Sequence, residues 1–476
     1  MSSGNGTVEK NSRNVEPTRQ EQDSDAQRSE YWTSIAGVAG NMLEWYDFSS
    51  FGLFSDVIAE NFFPPNQRGN SALIESFVVF GSAFLFKPIG GALIGKIGDI
   101  HGRKRALELA IFFMAFPTFA LGCLPTFSQV GWLSTGLLCL MRIMQGISAG
   151  GQIMSSVVFT LERADQSNWG KMGSTVFASA TVGTAAGSFF SYALRNTLTD
   201  DQLRSWGWRI PFLFGALGVI PGAYLKYGAR GHGIESSNGN EGNSSEQQNT
   251  IRNVFSKTNR RALLASALVP AVSHATYYIV FIWMAIFMEE LIDPPIPHAF
   301  AINAAVTVIS IGLTLCGGYI ADKYGRYDRM LIMSAIALAV LAPICFYLLA
   351  QGDPIVAFFA QLTLGMVLSL FNGAMLPWIT FNFPPSVRLT SCSIGYNISA
   401  SICGGFSPLL ATVFVDNFTD WSPCFIISTL ALVSITGVLI VPKPIQEEDI
   451  NQISLQNTSK SEGQIEVENE SWREIS

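Results

Sequence analysis

Apolar residues along this chain fall in long runs separated by short polar breaks. About twenty apolar residues cross a bilayer as one helix, and by that ruler a first span is expected from about Trp32 to Ile58. Further spans are expected near 72–97, 106–124, 132–160, 172–194 and 210–227. A second set is expected near 262–289, 299–321, 330–350, 354–381, 388–415 and 422–441. The pattern predicts an all-α membrane protein of about twelve transmembrane helices in two six-helix bundles.

Two of the polar breaks are copies of one another. Gly95-Lys-Ile-Gly-Asp99-Ile-His-Gly102-Arg103 and Gly318-Tyr-Ile-Ala-Asp322-Lys-Tyr-Gly325-Arg326 share the spacing G-x-x-x-D-x-x-G-R at one fixed offset. Such an offset means two copies of one unit, and internal repeats of apolar segments mark membrane transporters whose site lies where the repeats meet. Asp99 and Arg103 are four apart and can pair on one face. Gly95 and Gly98 let a neighbouring helix come close, while Lys104 and Arg105 hold that end on the cytoplasmic side. A single copy would read equally well as a topology anchor. Two copies at matched depth favour a gate, built from Asp99, Gly102, Arg103, Asp322, Gly325 and Arg326.

The polar stretches divide the chain into a disordered cytoplasmic tail at 1–31, an N-terminal bundle at 32–227, a cytoplasmic linker at 228–261, a C-terminal bundle at 262–441 and an acidic tail at 442–476. The first tail has no apolar core of a signal peptide, and the linker is rich in Gly, Ser, Asn and Gln, the composition of a flexible connection. Lys226, Arg230, Arg252, Lys257, Arg260 and Arg261 flank it. Positive residues also mark the other inner loops, so both termini are expected to be cytoplasmic, and the plasma membrane is the expected location. Asn417-Phe-Thr419 is a glycosylation sequon on an expected outer loop, close to the membrane.

Composition narrows the class. The chain is 49% hydrophobic and 14% charged, with a mean hydropathy of +0.31, whereas soluble proteins carry about a quarter charged residues. The net charge of −7 gathers in the tails, and nucleic acid is not expected as a partner. The seven cysteines fall mostly inside apolar runs and read as packing residues. Gly90-Gly-Ala-Leu-Ile-Gly95-Lys96 has the outline of a phosphate-binding loop, but Ile97 stands where Ser or Thr must hold magnesium. No zinc spacing or nucleophile elbow occurs, so the expectation is neither an enzyme nor a user of metal or cofactor.

Polar residues within the spans carry the candidate chemistry. Asn41, Glu44, Trp45 and Phe48 stand three or four apart and share a face, while Asp47 points about a third of a turn aside. A carboxylate in hydrocarbon costs a few kcal/mol, so both acids must face a cavity or a partner. They are candidates for proton coupling, against the plainer role of a structural ion pair. In span four, Arg142 and Gln145 are neighbours on one face, followed by Gly150, Gly151 and Gln152. A buried arginine needs an acceptor, and an acid of the same half is the obvious one. Span seven holds His274, Tyr277, Tyr278 and Trp283, aromatics that either pack or enclose a quaternary ammonium. The substrate-binding set is therefore Asn41, Glu44, Trp45, Phe48, Gln145, Gln152, Tyr277, Tyr278 and Trp283, and the proton-coupling set Glu44, Asp47 and Arg142.

At this point the chain resembles the major facilitator superfamily, and within it the metabolite:proton symporters that include the bacterial proline/betaine transporter. The resemblance covers roughly 32–441. It rests on the doubled loop, the Gly40-Asn41 to Phe48 stretch, Arg142-x-x-Gln145-Gly146, Trp206-Gly-Trp208-Arg209-Ile-Pro211-Phe212, Tyr277-Tyr278, and Phe383-Pro384 through Arg388 to Tyr396-Asn397-Ile-Ser399. It implies alternating access between two bundles, a small-molecule substrate at the midplane, protons as the coupling ion and function as a monomer in the lipid bilayer. The family usually has Glu where Gln152 stands, and a basic pair where Asn168-Trp169-Gly170 stands. Residues 446–476 lack the coiled-coil tail of the osmosensing member. The aromatics favour a zwitterion such as proline or betaine. A mono- or dicarboxylate symporter and an uncoupled facilitator are the alternatives.

Overall fold

The computed structural model describes residues 40–65, 70–101, 103–162, 164–218, 254–256, 259–384 and 387–441. Side chains at 92, 95, 96, 98–101, 103–108 and 159 are outside that description, as are the predicted tails and most of the predicted linker.

Twelve helical stretches are found among the described residues. In the first half, α1 runs over 40–53 and continues as Ser55–Phe62. Helix α2 is Ser71–Leu85 followed by Lys87–His101, and α3 is Arg103–Cys123. Helix α4 is Trp132–Ala149 and resumes beyond two glycines as Gln152–Glu162. Helix α5 is Trp169–Thr197, and α6 begins at Arg209. In the second half, α7 is Arg260–Leu291, α8 Ala299–Tyr324, α9 Tyr327–Leu349, α10 Pro354–Phe381, α11 Arg388–Asn417 and α12 Cys424–Ile440.

Six of these, α2 and α7 to α11, are long and apolar enough to cross a membrane. Helix α5 is long but rich in Gly, Ser, Thr and Ala. Those residues suit a helix pressed between others, since small side chains let backbones approach where burial against lipid gives no drive. The outer surface instead carries Phe112, Phe116, Val308, Met333, Val340 and Leu432, all exposed. An apolar exterior around a polar interior is the membrane arrangement, and the protein is an integral multi-pass one.

The two halves are related as copies. Helix α2 packs against α11, and its counterpart α8 packs against α5. Helix α4 touches α11, and its counterpart α10 touches α5. Exchanging the halves therefore maps the interface onto itself, the signature of a pseudo-two-fold axis. Close approaches sit on these crossings: a Cβ on Gly318 would meet Gly170 and Ser174, and one on Gly405 would meet Phe84.

The second copy of the doubled motif forms a turn between two helices. Helix α8 ends at Tyr324 because Gly325 takes a left-handed φ of 60°, and Arg326 caps α9. Asp322 and Arg326 therefore do not share one helix. In the first copy, the residues on either side of position 102 are helical, and the expected pairing of Asp99 with Arg103 falls on side chains outside the described residues. Gly102 is outside them too.

Candidate functional site

Helix α1 distributes its polar residues over four neighbours rather than one face. Asn41 Nδ2 donates to Val176 O at 3.2 Å and Ser179 Oγ at 2.9 Å on α5. Trp45, one turn on, meets Phe177 of α5 at 6.2 Å. Glu44 and Phe48 turn toward α2, where Lys87 Nζ lies 3.1 Å from Glu44 Oε1. Asp47, a third of a turn aside, faces α3 and α4. The expected shared face is split because four helices converge on α1 at this depth.

Asp47 is the acid that Arg142 meets. Arg142 Nη1 donates to Asp47 Oδ2 at 2.9 Å and to Gln145 Oε1 at 2.8 Å. Gln145 Nε2 in turn reaches Asp47 Oδ1 at 2.6 Å, and the Thr118 hydroxyl stands 2.7 Å from the same oxygen. Both charged side chains are wholly buried. The remaining guanidinium surface is covered by aromatic faces, with Phe51 at 4.4 Å and Phe48 at 4.7 Å. A cation over a ring gains electrostatic attraction that strengthens when both are out of water.

The second ion pair, Glu44–Lys87, also borders Phe48. Lys87 Nζ lies 4.7 Å from the Phe48 centroid and 4.5 Å from that of Phe84. One ring thus touches both buried cations. Glu44 Oε2 has no hydrogen-bond partner.

The second half closes the site with aromatics. Tyr277 stands edge-on to Trp45 at 4.7 Å, and Tyr278 stacks on it at 5.8 Å with planes 10° apart. The Tyr277 and Thr184 hydroxyls are 2.8 Å apart, joining α7 to α5. His274 lies edge-on to Tyr396 at 4.5 Å. Trp283 is not part of this cluster: its Nε1 donates to Thr412 at 2.8 Å on α11, within its own half. Gln152 lies over Gly40, buried, with neither amide atom partnered.

Sequence reasoning passed over a third polar cluster. Gln361 Nε2 donates to Val280 O at 2.6 Å and Asn303 Oδ1 at 2.7 Å, and Asn303 Nδ2 donates to Phe281 O at 3.1 Å. Residues Ile279–Trp283 form a π-helical turn, and such turns change which carbonyls are satisfied within the helix. The two side-chain amides serve them. Lys87 is the other residue missing from the candidate sets. A Lys in the middle of the 72–97 run, apart from Lys96 at its end, was its signal.

The halves touch at both ends of the molecule. At the end bearing the doubled motif, Asp322 accepts from Gly170 N at 2.5 Å and Lys171 N at 2.8 Å. Arg388 pairs there with Glu162 at 3.0 Å, and Trp169 stacks on Phe381 at 4.3 Å. At the opposite end, the Arg195 guanidinium covers Phe300 at 3.9 Å and Asn70 bonds Asp416 at 3.1 Å. Residues of the Trp206–Phe212 stretch are structural pins. Tyr46 Oη donates to Pro211 O at 2.6 Å, and Arg209 holds Gly122 O and Leu124 O.

Two six-helix halves around buried ion pairs define a membrane transporter rather than an enzyme. The chain belongs to the major facilitator superfamily, whose model, Major Facilitator Superfamily, matches residues 39–395. A Staphylococcus aureus protein named as a candidate proline/betaine transporter is 30% identical over 413 residues, 86% of this chain and 87% of its own. The proline/betaine transporter of Salmonella typhimurium is 28% identical, covering 85% and 82%. The citrate-proton symporter of Klebsiella pneumoniae is 27% identical, covering 80% and 85%. Among solved structures, a partially occluded inward-open form of the xylose transporter XylE from E. coli has a TM-score of 0.67 at 17% identity, covering 87% of this chain and 98% of that one.

Proposed function

We propose that the protein is a secondary active transporter that moves a small zwitterion, of the proline or betaine kind, together with protons by alternating access. The observation that carries this reading is the pair of buried salt bridges, Asp47–Arg142 and Glu44–Lys87, on the interface side of the first half. Each is neutral as a whole. A zwitterion entering between them leaves the centre neutral, whereas a dianion leaves two charges uncompensated in a low dielectric. The aromatic surfaces of Trp45, Tyr277 and Tyr278 suit a quaternary or secondary amine, and the names of two of the relatives point the same way.

Asp47 is the proton carrier in this reading. Protonating it removes the counter-charge of Arg142, so a proton cannot arrive without rearranging the α1–α4 contact, and that rearrangement is the coupling step. The contacts of Asp322 with Gly170 and Lys171, and of Arg388 with Glu162, act as the gate at the motif end. The matching loop at Asp99, Gly102 and Arg103 acts with them. The motif end and both termini face the cytoplasm of a plasma-membrane protein that works as a monomer, with the two bundles joined by a flexible linker.

One observation favours a carboxylate substrate: Lys87 and Arg142 are two cations close to the centre, and a relative carries the name citrate-proton symporter. Uptake into proteoliposomes decides between the readings. With a pH gradient, inside alkaline, labelled betaine or proline should accumulate above its outside concentration, and citrate should not. Accumulation of citrate alone, or equilibration that ignores the gradient, overturns the proposal.

A further inference from the structure

Around the Glu44–Lys87 bridge the structure leaves a set of buried polar atoms without protein partners, a rare arrangement in a folded interior that water, an ion or a ligand can serve. They are Glu44 Oε2 and Trp45 Nε1 on α1, His274 Nε2 on α7 and Tyr396 Oη on α11. All four side chains are at most 4% exposed. His274 and Tyr396 are in ring contact, Tyr396 and Tyr278 lie within electrostatic reach of Glu44, and His274 lies within reach of Lys87. The first two atoms belong to one half and the last two to the other, so the set straddles the interface.

The inventory is chemically lopsided in a useful way. One free carboxylate oxygen belongs to Glu44, within reach of Tyr278, whose ring stacks on Trp45, while a ring nitrogen belongs to His274, within reach of Lys87, and a hydroxyl to the Tyr396 ring against it. The first group suits a cation, and the second, with Lys87 Nζ, suits a carboxylate.

Resting on the zwitterion reading above, we infer that the Glu44–Lys87 salt bridge is a stand-in for the bound substrate, which inserts between the two side chains and replaces each partner with its own opposite charge. The substrate carboxylate takes Lys87 Nζ with His274 and Tyr396 as further donors. Its cationic nitrogen takes the Glu44 carboxylate against the stacked faces of Trp45 and Tyr278. Charge is conserved, one internal ion pair being exchanged for two intermolecular ones, and His274 Nε2, Tyr396 Oη and Glu44 Oε2 each face a group of the substrate. Selectivity follows: a molecule bearing only one of the charges breaks the bridge and replaces half of it, leaving a buried charge alone. A buried partner left uncompensated in this way costs several kcal/mol.

The test uses the full-length chain in nanodiscs with three probes of similar shape. Glycine betaine carries both charges, choline only the cation, and 3,3-dimethylbutyrate only the carboxylate. The wild type should bind betaine about tenfold or more tighter than either single-charge probe. Lys87→Met should weaken betaine by about tenfold or more and strengthen choline, because Glu44 is then free. Glu44→Gln should weaken betaine and strengthen dimethylbutyrate. The double variant Glu44→Gln/Lys87→Met removes both charges at once and keeps the fold, since replacing a whole buried pair is often neutral; it should have lost the preference for betaine. If that variant binds betaine within about threefold of wild type, or the two single variants weaken all three probes alike, the stand-in role is overturned while betaine transport stands. A wild type that binds no betaine overturns the zwitterion reading and this inference together.

Discussion

Arg142 Nη1 stands 2.9 Å from Asp47 Oδ2, with both side chains completely buried and Phe48 and Phe51 laid against the guanidinium. Removing one member of such a pair strands the other in a low dielectric, at about 3–5 kcal/mol, whereas removing both is often tolerated. Asp47→Asn should therefore lower thermal stability clearly. Asp47→Asn/Arg142→Met should recover most of that loss, yet still fail to accumulate substrate against a pH gradient. Thermal unfolding followed by size-exclusion of the detergent-solubilised protein reads the first effect, and proteoliposome uptake the second. A double variant as unstable as the single one would show that the pair does not act as a unit.

Asp322 tests the gate. Its carboxylate accepts two backbone N–H groups at the start of α5, where a negative charge also complements the positive end of the helix dipole, a contribution of about 0.5–2 kcal/mol. That energy holds the two halves together at one end, so Asp322→Ala should shift the population toward a state open there. Ser174, buried and close to Gly318, reports it: a Ser174→Cys probe should react with a maleimide several-fold faster in the Asp322→Ala background. Equal labelling rates would remove Asp322 from the gate.

Much of the architecture was readable from the sequence, and its limits have physical causes. The apolar runs and the repeated motif led to two six-helix bundles because membrane crossing imposes run length directly. The sideways direction of Asp47 followed from helical periodicity alone. The partner of Glu44 did not, because it depends on where α2 crosses α1, and the intervening chain says nothing about that crossing. Trp283 was grouped with Tyr277 and Tyr278 as an aromatic of the same span, but the turn between them is π-helical and Trp283 bonds Thr412 instead. Asn303 and Gln361 are isolated amides in apolar runs; attention to charged residues passed them by, although amides in hydrocarbon need partners just as surely.

That amide pair makes a prediction of its own. Gln361 donates to Asn303, and each donates to a carbonyl of the π-helical turn in α7. Asn303→Leu leaves Phe281 O and one lone pair fewer served, which in water-soluble interiors costs about 1–3 kcal/mol. Interhelical bonds in membranes average only about 0.6 kcal/mol, so the loss here should fall at the low end. A double-mutant cycle with Gln361→Leu measures the coupling by thermal unfolding. It should be favourable but below the Asp47–Arg142 coupling; the reverse order would mean that the π-helical turn, not the ion pair, is the stiffest part of the core.

The crossing of α2 and α4 is where packing sets the site, and glycine substitutions expose it. A Cβ on Gly146 would collide with the Ala83 carbonyl, and one on Gly150 with the Lys87 carbonyl and Gly91 N. These obstacles are backbone atoms, so no side-chain rotation relieves them and α2 must move away from α4. Lys87 is carried on α2 and Arg142 on α4, so the separation pulls the two cations off the shared Phe48 ring. Gly150→Ala should accordingly impair both stability and substrate binding. Gly136→Ala, in the same helix but with nothing within 4 Å of the added carbon, should be harmless or stabilise by up to about 1 kcal/mol, because alanine restricts the unfolded chain. Parallel measurement of unfolding temperature and betaine binding in the two variants separates a steric cause from a general dislike of side chains in α4. If Gly136→Ala fell as far as Gly150→Ala, the close backbone contact would not be what holds Lys87 and Arg142 in place.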